Sequence, residues 1–546
     1  MTKIKIGILT VILLISNMVF AQTVQDGRRF LYYQQFNNAK EAFEKALAAN
    51  PTSIETQYWL GQAFIGLNQP EKAKELYRKA LETNGSNPLL LVAMGHLELI
   101  EGKQTEARQR FETAISLMGK KLDVIVLNAI GRANLDKNGD SDFGIEKLNL
   151  ATTVKGFKEP DVYITMGDLF RKKNDGGGAV KSYQNALIID PKYAVAKYKT
   201  GKVYLTQGKD QENVFMQNFN DAIADDPKFA PAYYDAYAFY FARDVNEAKK
   251  FFNFYKELAE KGPALDYEAA SLLFASSDFK AAVAKSDELL LQYGANADNR
   301  LYRLKGYSLY KLNDSVNAIA SLETFFSKAN AEQIIADNWL VAAELAAKIP
   351  SKQADFDKYV TNAIAADTLL KGKIDAAKKA MDIFKKAGNQ SKVAEWAEKI
   401  LTINPSPTKV EIYNAGFENF KATKYLKADS IFTIYKTKYP EEVYGHYWSF
   451  RSLSVVDSTM EGGLAIPSCQ RFIELAELDK VKNKSTLLTA YGYMASYNAN
   501  MKKDYETAIG YLDRIIAIDP ANADAIKNKE ILQKALTKPA AKPAKN

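Results

Sequence analysis

Small and bulky apolar positions recur along this chain with one period nested in another. Apolar residues fall three and four apart, separated by Lys, Glu, Asp and Gln, which predicts short amphipathic helices. The helices pair, and the pair returns about every 34 to 38 residues. Within a pair, a small residue is followed by a second small one, then a bulky one, then another. The series includes Gly27/Ala39/Phe43/Ala46, Gly61/Ala73/Tyr77/Ala80, Gly95/Ala107/Phe111/Ala114 and Gly167/Ala179/Tyr183/Ala186. Later come Ala236/Ala248/Phe252/Tyr255, Ala270/Ala282/Ser286/Leu289, Gly306/Ala318/Leu322/Phe325 and Gly416/Ala428/Phe432/Tyr435. Pro51, Pro191, Pro227, Pro405, Pro440 and Pro520 follow Asn, Asp or Tyr. A residue before proline avoids helical geometry, so each of these marks the end of a unit.

The physical reason for the pattern is close helix crossing. Two antiparallel helices approach only where side chains are small, and the bulky residue one turn on fills the space beside the crossing. The pattern resembles the tetratricopeptide repeat, with Trp59-Leu60-Gly61, Phe64, Ala73, Tyr77 and Ala80 as its clearest statement. The resemblance implies an all-α, right-handed superhelical solenoid of about fourteen antiparallel helical hairpins. Residues 22–330 carry the regular array and 331–520 a more degenerate one around Trp339, Trp396 and Trp448. Residues 521–536 read as a polar capping helix, and 537–546 as a disordered Lys/Pro/Ala tail.

Residues 1–21 read as a secretory leader. Lys3 and Lys5 precede the apolar run Ile6 to Ile15, and Val19-Phe20-Ala21 offers a cleavage site before Gln22. No Cys follows that site for acylation, and no later stretch reads as a transmembrane segment. The expectation is export to the periplasm of a bacterial envelope, with secretion or surface association as variants. Of the net charge of +8, Lys3 and Lys5 contribute two and Lys538, Lys542 and Lys545 three, which leaves +3 for the repeats. That balance, with no dense Arg/Lys cluster, argues against nucleic acid. Cys469 is the only cysteine, so no intrachain disulfide forms, and it reads as a small buried hydrophobe.

The chain has 31 Tyr and 28 Phe against 2 His, a poor supply for histidine-based catalysis or metal binding. His96 and His446 have no second ligand near them in sequence. In the tetratricopeptide family certain positions of each first helix line a concave groove. Carried onto this chain they select Tyr198, Lys202, Tyr233, Tyr237, Tyr240, Phe241, Tyr267, Arg303, Tyr307 and Tyr310 as candidate partner-binding residues. Tyr and Arg are favoured at binding hot spots; the same rings also serve as packing between repeats. The Lys/Asn clamp that chaperone-docking members close on a free C-terminus is absent, since Val24, Arg28 and Trp59 stand at those positions.

Asp136, Asn138, Asp140 and Asp142 alternate in a turn, a spacing that wraps calcium or simply makes a polar loop. Ser141 and Lys147 depart from the EF-hand pattern. Asn174-Asp-Gly-Gly-Gly178 reads as a flexible inter-helix turn, with no Lys-Ser/Thr after it to hold phosphate. No cofactor is called for. The function read here is a non-catalytic scaffold for other proteins of the cell envelope. The alternative is a carbohydrate-binding protein of an envelope uptake system.

Overall fold

The computed structural model describes residues 23–537. The leader expected over 1–21 lies outside the described residues, as does the tail apart from Thr537, which closes the last helix. Every regular element among the described residues is helical. The chain divides into two compact units at Asp298/Asn299. The first holds eight helix pairs, from 23–32 with Phe36–Ala49 to Pro263–Ala275 with Phe279–Tyr293. The second holds six, from Arg300–Lys311 with Ser315–Lys328 to Lys484–Tyr497 with Tyr505–Ile518, and then Ala523–Thr537. The fourteen hairpins expected are the fourteen found.

Pairs that carry a glycine at the crossing are locked there. A methyl group built on Gly61 would sit 2.1 Å from the ring of Tyr77, and one on Gly167 would sit 2.3 Å from Tyr183. Both tyrosines are fully buried. Tyr77 Oη also donates to Tyr58 O at 2.8 Å and accepts from Gln62 Nε2 at 3.1 Å, so the ring cannot retreat. Burying such a side chain contributes on the order of 1.5–3 kcal/mol.

A second device was not read from the sequence. Seven residues after eight of the crossing positions, the first helix ends on a left-handed residue: Gln34, Asn68, Gly102, Asn174, Gly208, Ser277, Asn313 and Thr423, all at φ between 57° and 95°. That conformation turns the chain back within two or three residues. Gly and Asn adopt it cheaply. The β-branched Thr423, at φ 60°, does so at a cost of about 1–2 kcal/mol.

The pairs that depart from the pattern have local reasons. After Gly201 the turn carries extra residues, Lys209–Gln211, so the ring over the glycine is Phe219. Trp339 stacks on Phe326 at 3.7 Å, and Trp396 is buried beside Phe356. Trp448 sits between Phe417 and Phe420 and donates to Tyr413 Oη at 3.1 Å. Cys469 is fully buried, and burial pushes its thiol well above the usual range, which keeps it unreactive. In the last helix only Ala525 is buried, and Lys529 pairs with Asp513 at 2.5 Å, as suits a helix with one wet face.

Candidate interaction site at the seam of the first unit

A solenoid in its simplest form has each repeat touching only its neighbours. The first unit does not behave so. Its first helix, the turn after it and the start of the second helix reach across the turn of the array to the fifth through seventh pairs. Tyr33 Oη donates to Asp226 Oδ2 at 2.6 Å, across 193 residues of sequence. Gln35 Nε2 donates to Leu258 O at 2.6 Å, and Asn38 N donates to Glu260 Oε1 at 2.6 Å. Tyr33 also meets the edge of Phe229, with ring centres 6.0 Å apart. The turn closes on itself along this seam.

Asp161 is the hub of the closure. It is 5% exposed and accepts from Tyr32 Oη, from Tyr193 Oη and from Arg132 Nη2 at 3.1 Å, with Arg28 Nη2 3.6 Å away. Arg28 and Arg132 both lie over the Trp59 ring, 5.1 and 4.8 Å from its centre. Burial and the neighbouring carboxylate push the Tyr32 phenol up to about 12. The phenols therefore remain neutral donors at physiological pH, and the buried carboxylate keeps its guanidinium partner.

Beside this hub opens a cavity of about 790 Å³. Tyr32, Tyr33 and Tyr193 wall it on the inside, and Gln25, Arg29, Glu159, Lys192 and Lys228 stand exposed around it. The first helices of three successive pairs start at its wall, Pro160–Lys172, Ala194–Leu205 and Ala230–Tyr240, and none has a side-chain cap on its first turn. Their positive dipole ends add to the field of the exposed cations.

The residues selected from the sequence fall on both units. In the first, Tyr198, Tyr233, Tyr237 and Tyr267 are buried. Tyr198 Oη donates to Asp235 at 2.6 Å, and Lys202 joins the same carboxylate at 2.8 Å. Tyr233 packs on Phe254, and Tyr237 donates to Glu268 at 3.1 Å with Phe241 at its edge. Tyr240 is half-buried, parallel to Phe251, and donates to Glu212 at 3.0 Å. In the second unit Tyr310 donates to Glu344 at 2.9 Å, Tyr307 Oη accepts from Asn338 Nδ2 at 2.6 Å, and Arg303 lies over Phe325. The hydroxyls thus tie one pair to another, and only the half-buried Tyr240, Phe241, Tyr307 and Tyr310 keep part of their rings open.

The turn carrying Asp136, Asn138, Asp140 and Asp142 is built around a lysine. Lys172 Nζ donates to the carbonyls of Asn134 at 2.9 Å, Gly139 at 2.8 Å and Asp136. Asp136 Oδ1 caps Asn138 N, Asp140 Oδ1 starts the next helix, and Asp142 pairs with Lys173. These oxygens do not converge, and no cluster of three acidic, His or Cys residues suited to a metal occurs among the described residues. The ammonium stands where a cation would be wrapped. Asn174 to Gly178 is likewise more ordered than its composition suggested. Asp175 Oδ1 accepts from Gly178 N at 2.8 Å, and the glycines form the first turn of Gly176–Ile189. Burial lowers the His96 pKa to about 4 and also lowers that of His446, whose ring contacts Pro440 O at 3.0 Å.

Sequence reasoning did not find Arg28, Tyr32, Arg132, Asp161 or Tyr193 as a group. The available signal was two charges, Arg132 and Asp161, at inward positions of helices whose other inward residues are apolar. Their pairing depends on the curvature of the array, which no local spacing encodes.

Residues 30–97 match the family described as tetratricopeptide repeat, and residues 167–208 match the one described as TPR repeat. No curated protein matches the chain. Among solved structures, the C-terminal part of a TPR repeat-containing protein from Cytophaga hutchinsonii is 24% identical over 48% of this chain and 98% of that one, with a TM-score of 0.28. Yeast Tom70 is 13% identical over 75% of this chain and 96% of its own, at 0.35. A tetratricopeptide repeat protein from Parabacteroides merdae is 14% identical over 54% and 98%, at 0.35. The chain thus carries tetratricopeptide repeats, and repeats of this type serve in general as scaffolds for contacts between proteins.

Proposed function

We propose that this chain is an exported, non-catalytic scaffold of the bacterial cell envelope that holds segments of partner proteins against the inner faces of its repeats. The observation that carries the reading is the open cavity of about 790 Å³ at the seam, walled by tyrosines and rimmed by charged side chains. The open edges of Tyr240, Phe241, Tyr307 and Tyr310 extend the inner contact surface within each unit. The leader-like residues 1–21 support export, and no helix among the described residues is long and apolar enough to cross a membrane.

Photo-crosslinking in cells tests this. A crosslinker at Lys192 or Tyr240 should capture a defined set of envelope proteins, whereas one at the exposed Lys181 should not. The same proteins from all three positions, or none from the inner positions, would overturn the reading. Terminal sequencing should find mature chain beginning at Gln22; chain that keeps Met1 in the cytoplasm would remove the envelope from the proposal.

A further inference from the structure

We infer that the seam cavity of the first unit takes an acidic segment from within a partner protein. The inference rests on the scaffold reading above and names the partner's chemistry.

Charge decides the side chains. Two carboxylates of the lining are held by cations, Asp161 by Arg132 and Asp225 by Lys197, while Asp226 accepts only from the neutral Tyr33 phenol and the Lys228 backbone N–H and keeps its charge. The charged groups exposed at the mouth are Arg29, Lys192 and Lys228 against Glu159 alone. None of the three cations is in a salt bridge among the described residues. An incoming segment therefore meets three cations without a salt bridge, Arg29, Lys192 and Lys228, against Glu159 and Asp226, a margin of one positive charge to which the three helix starts add. The exposed Gln25 amide offers a partner for the segment's backbone.

The test is fluorescence anisotropy with the full mature chain. The probe is a decapeptide of alternating Asp/Glu and Gly, acetylated and amidated at its ends so that no free carboxylate terminus is present. Its Asn/Gln counterpart is the neutral control. The double variant Lys192→Glu/Lys228→Glu is compared with Lys181→Glu/Lys209→Glu, which changes net charge equally on exposed sites away from the cavity. Circular dichroism and hydrogen exchange of residues 23–49 confirm that each variant keeps the closed turn. The acidic peptide should bind in a salt-dependent way, lose at least about tenfold in affinity in the first variant and change less than about twofold in the second. Equal losses in both variants, equal binding of the neutral peptide, or no binding of the acidic one would overturn the inference. So would binding of phosphatidylglycerol vesicles in place of peptide, which would make the patch a membrane contact. None of these outcomes touches the scaffold reading, which falls only if the inner-face crosslinks are absent or indistinct.

Discussion

Replacing Asp161 with Ala should loosen a helix 129 residues away in sequence. The carboxylate is 5% exposed and gathers Arg132, Arg28, Tyr32 and Tyr193. Without it, a guanidinium whose side chain is only 22% exposed is left with no carboxylate, and two phenols lose their acceptor. Removing one partner of a buried pair costs about 3–5 kcal/mol, and each stranded buried donor about 1–3 kcal/mol. These terms overlap, because Arg132 and the phenols can turn toward one another and admit water, so about 4 kcal/mol is the working figure. Hydrogen exchange on the full chain reads this locally, and about 4 kcal/mol corresponds to roughly a thousandfold faster exchange. The acceleration should appear in 160–205 and equally in 23–32. Asp168→Ala is the control. Its partners Tyr183 and Lys199 lie in the same and the next pair, so its effect should stay near 160–205. If Asp161→Ala leaves exchange in 23–32 unchanged, the closure contributes nothing and the first unit is an ordinary nearest-neighbour stack.

Gly61→Ala should destabilise by about 1–3 kcal/mol through overpacking against Tyr77, whereas Gly510→Ala, whose added methyl meets nothing within 4 Å, should stabilise by up to about 1 kcal/mol; urea titration that ranks them the other way would refute the crossing argument. Thr423→Gly should gain about 1 kcal/mol by relieving the left-handed turn, and an unchanged denaturation midpoint would show the strain to be negligible. Calcium should leave the thermal midpoint of the wild type unmoved, because Lys172 already occupies the carbonyls of the Asp136 turn; a calcium-dependent rise would contradict that geometry. Burial pushes the phenols of Tyr32, Tyr58, Tyr240 and Tyr310 up to about 12 from an ordinary value of 10. A raised folded value means that their contribution is fully present below pH 10 and is lost as pH climbs toward 12. Tyrosine ionisation at 295 nm should therefore lag and coincide with loss of helix, and early ionisation with intact helix would count against it.

How much was legible beforehand follows from the range over which each feature is encoded. The crossing glycines and the rings that cover them stand at fixed short separations, since a close approach of two linked helices is a local constraint. The pairs around Gly27, Gly61, Gly167 and Gly416 could therefore be read directly. The left-handed turn was hidden because Gln34, Ser277 and Thr423 occupy a conformation that their side chains do not favour, and only packing of the pair holds them there. The inward tyrosines could be located but not interpreted. A phenol at Tyr198 or Tyr237 looks the same in sequence whether it faces a partner or a carboxylate on the next repeat, and the structure shows the carboxylate.

The seam lies beyond local reading altogether. The sequence by itself determined the repeat, its helices, their crossings and the near-neutral, histidine-poor surface, all of which depend on residues within about one repeat of each other. Whether Arg28 meets Asp161, and Tyr33 meets Asp226, depends on the summed rotation of several pairs. A few degrees per pair, set by side-chain volumes at every crossing, decides whether the first helix returns onto the fifth pair or passes it by. Only the tertiary structure performs that sum, and with it decides that this unit has a closed turn, a buried charged hub and an open cavity beside it.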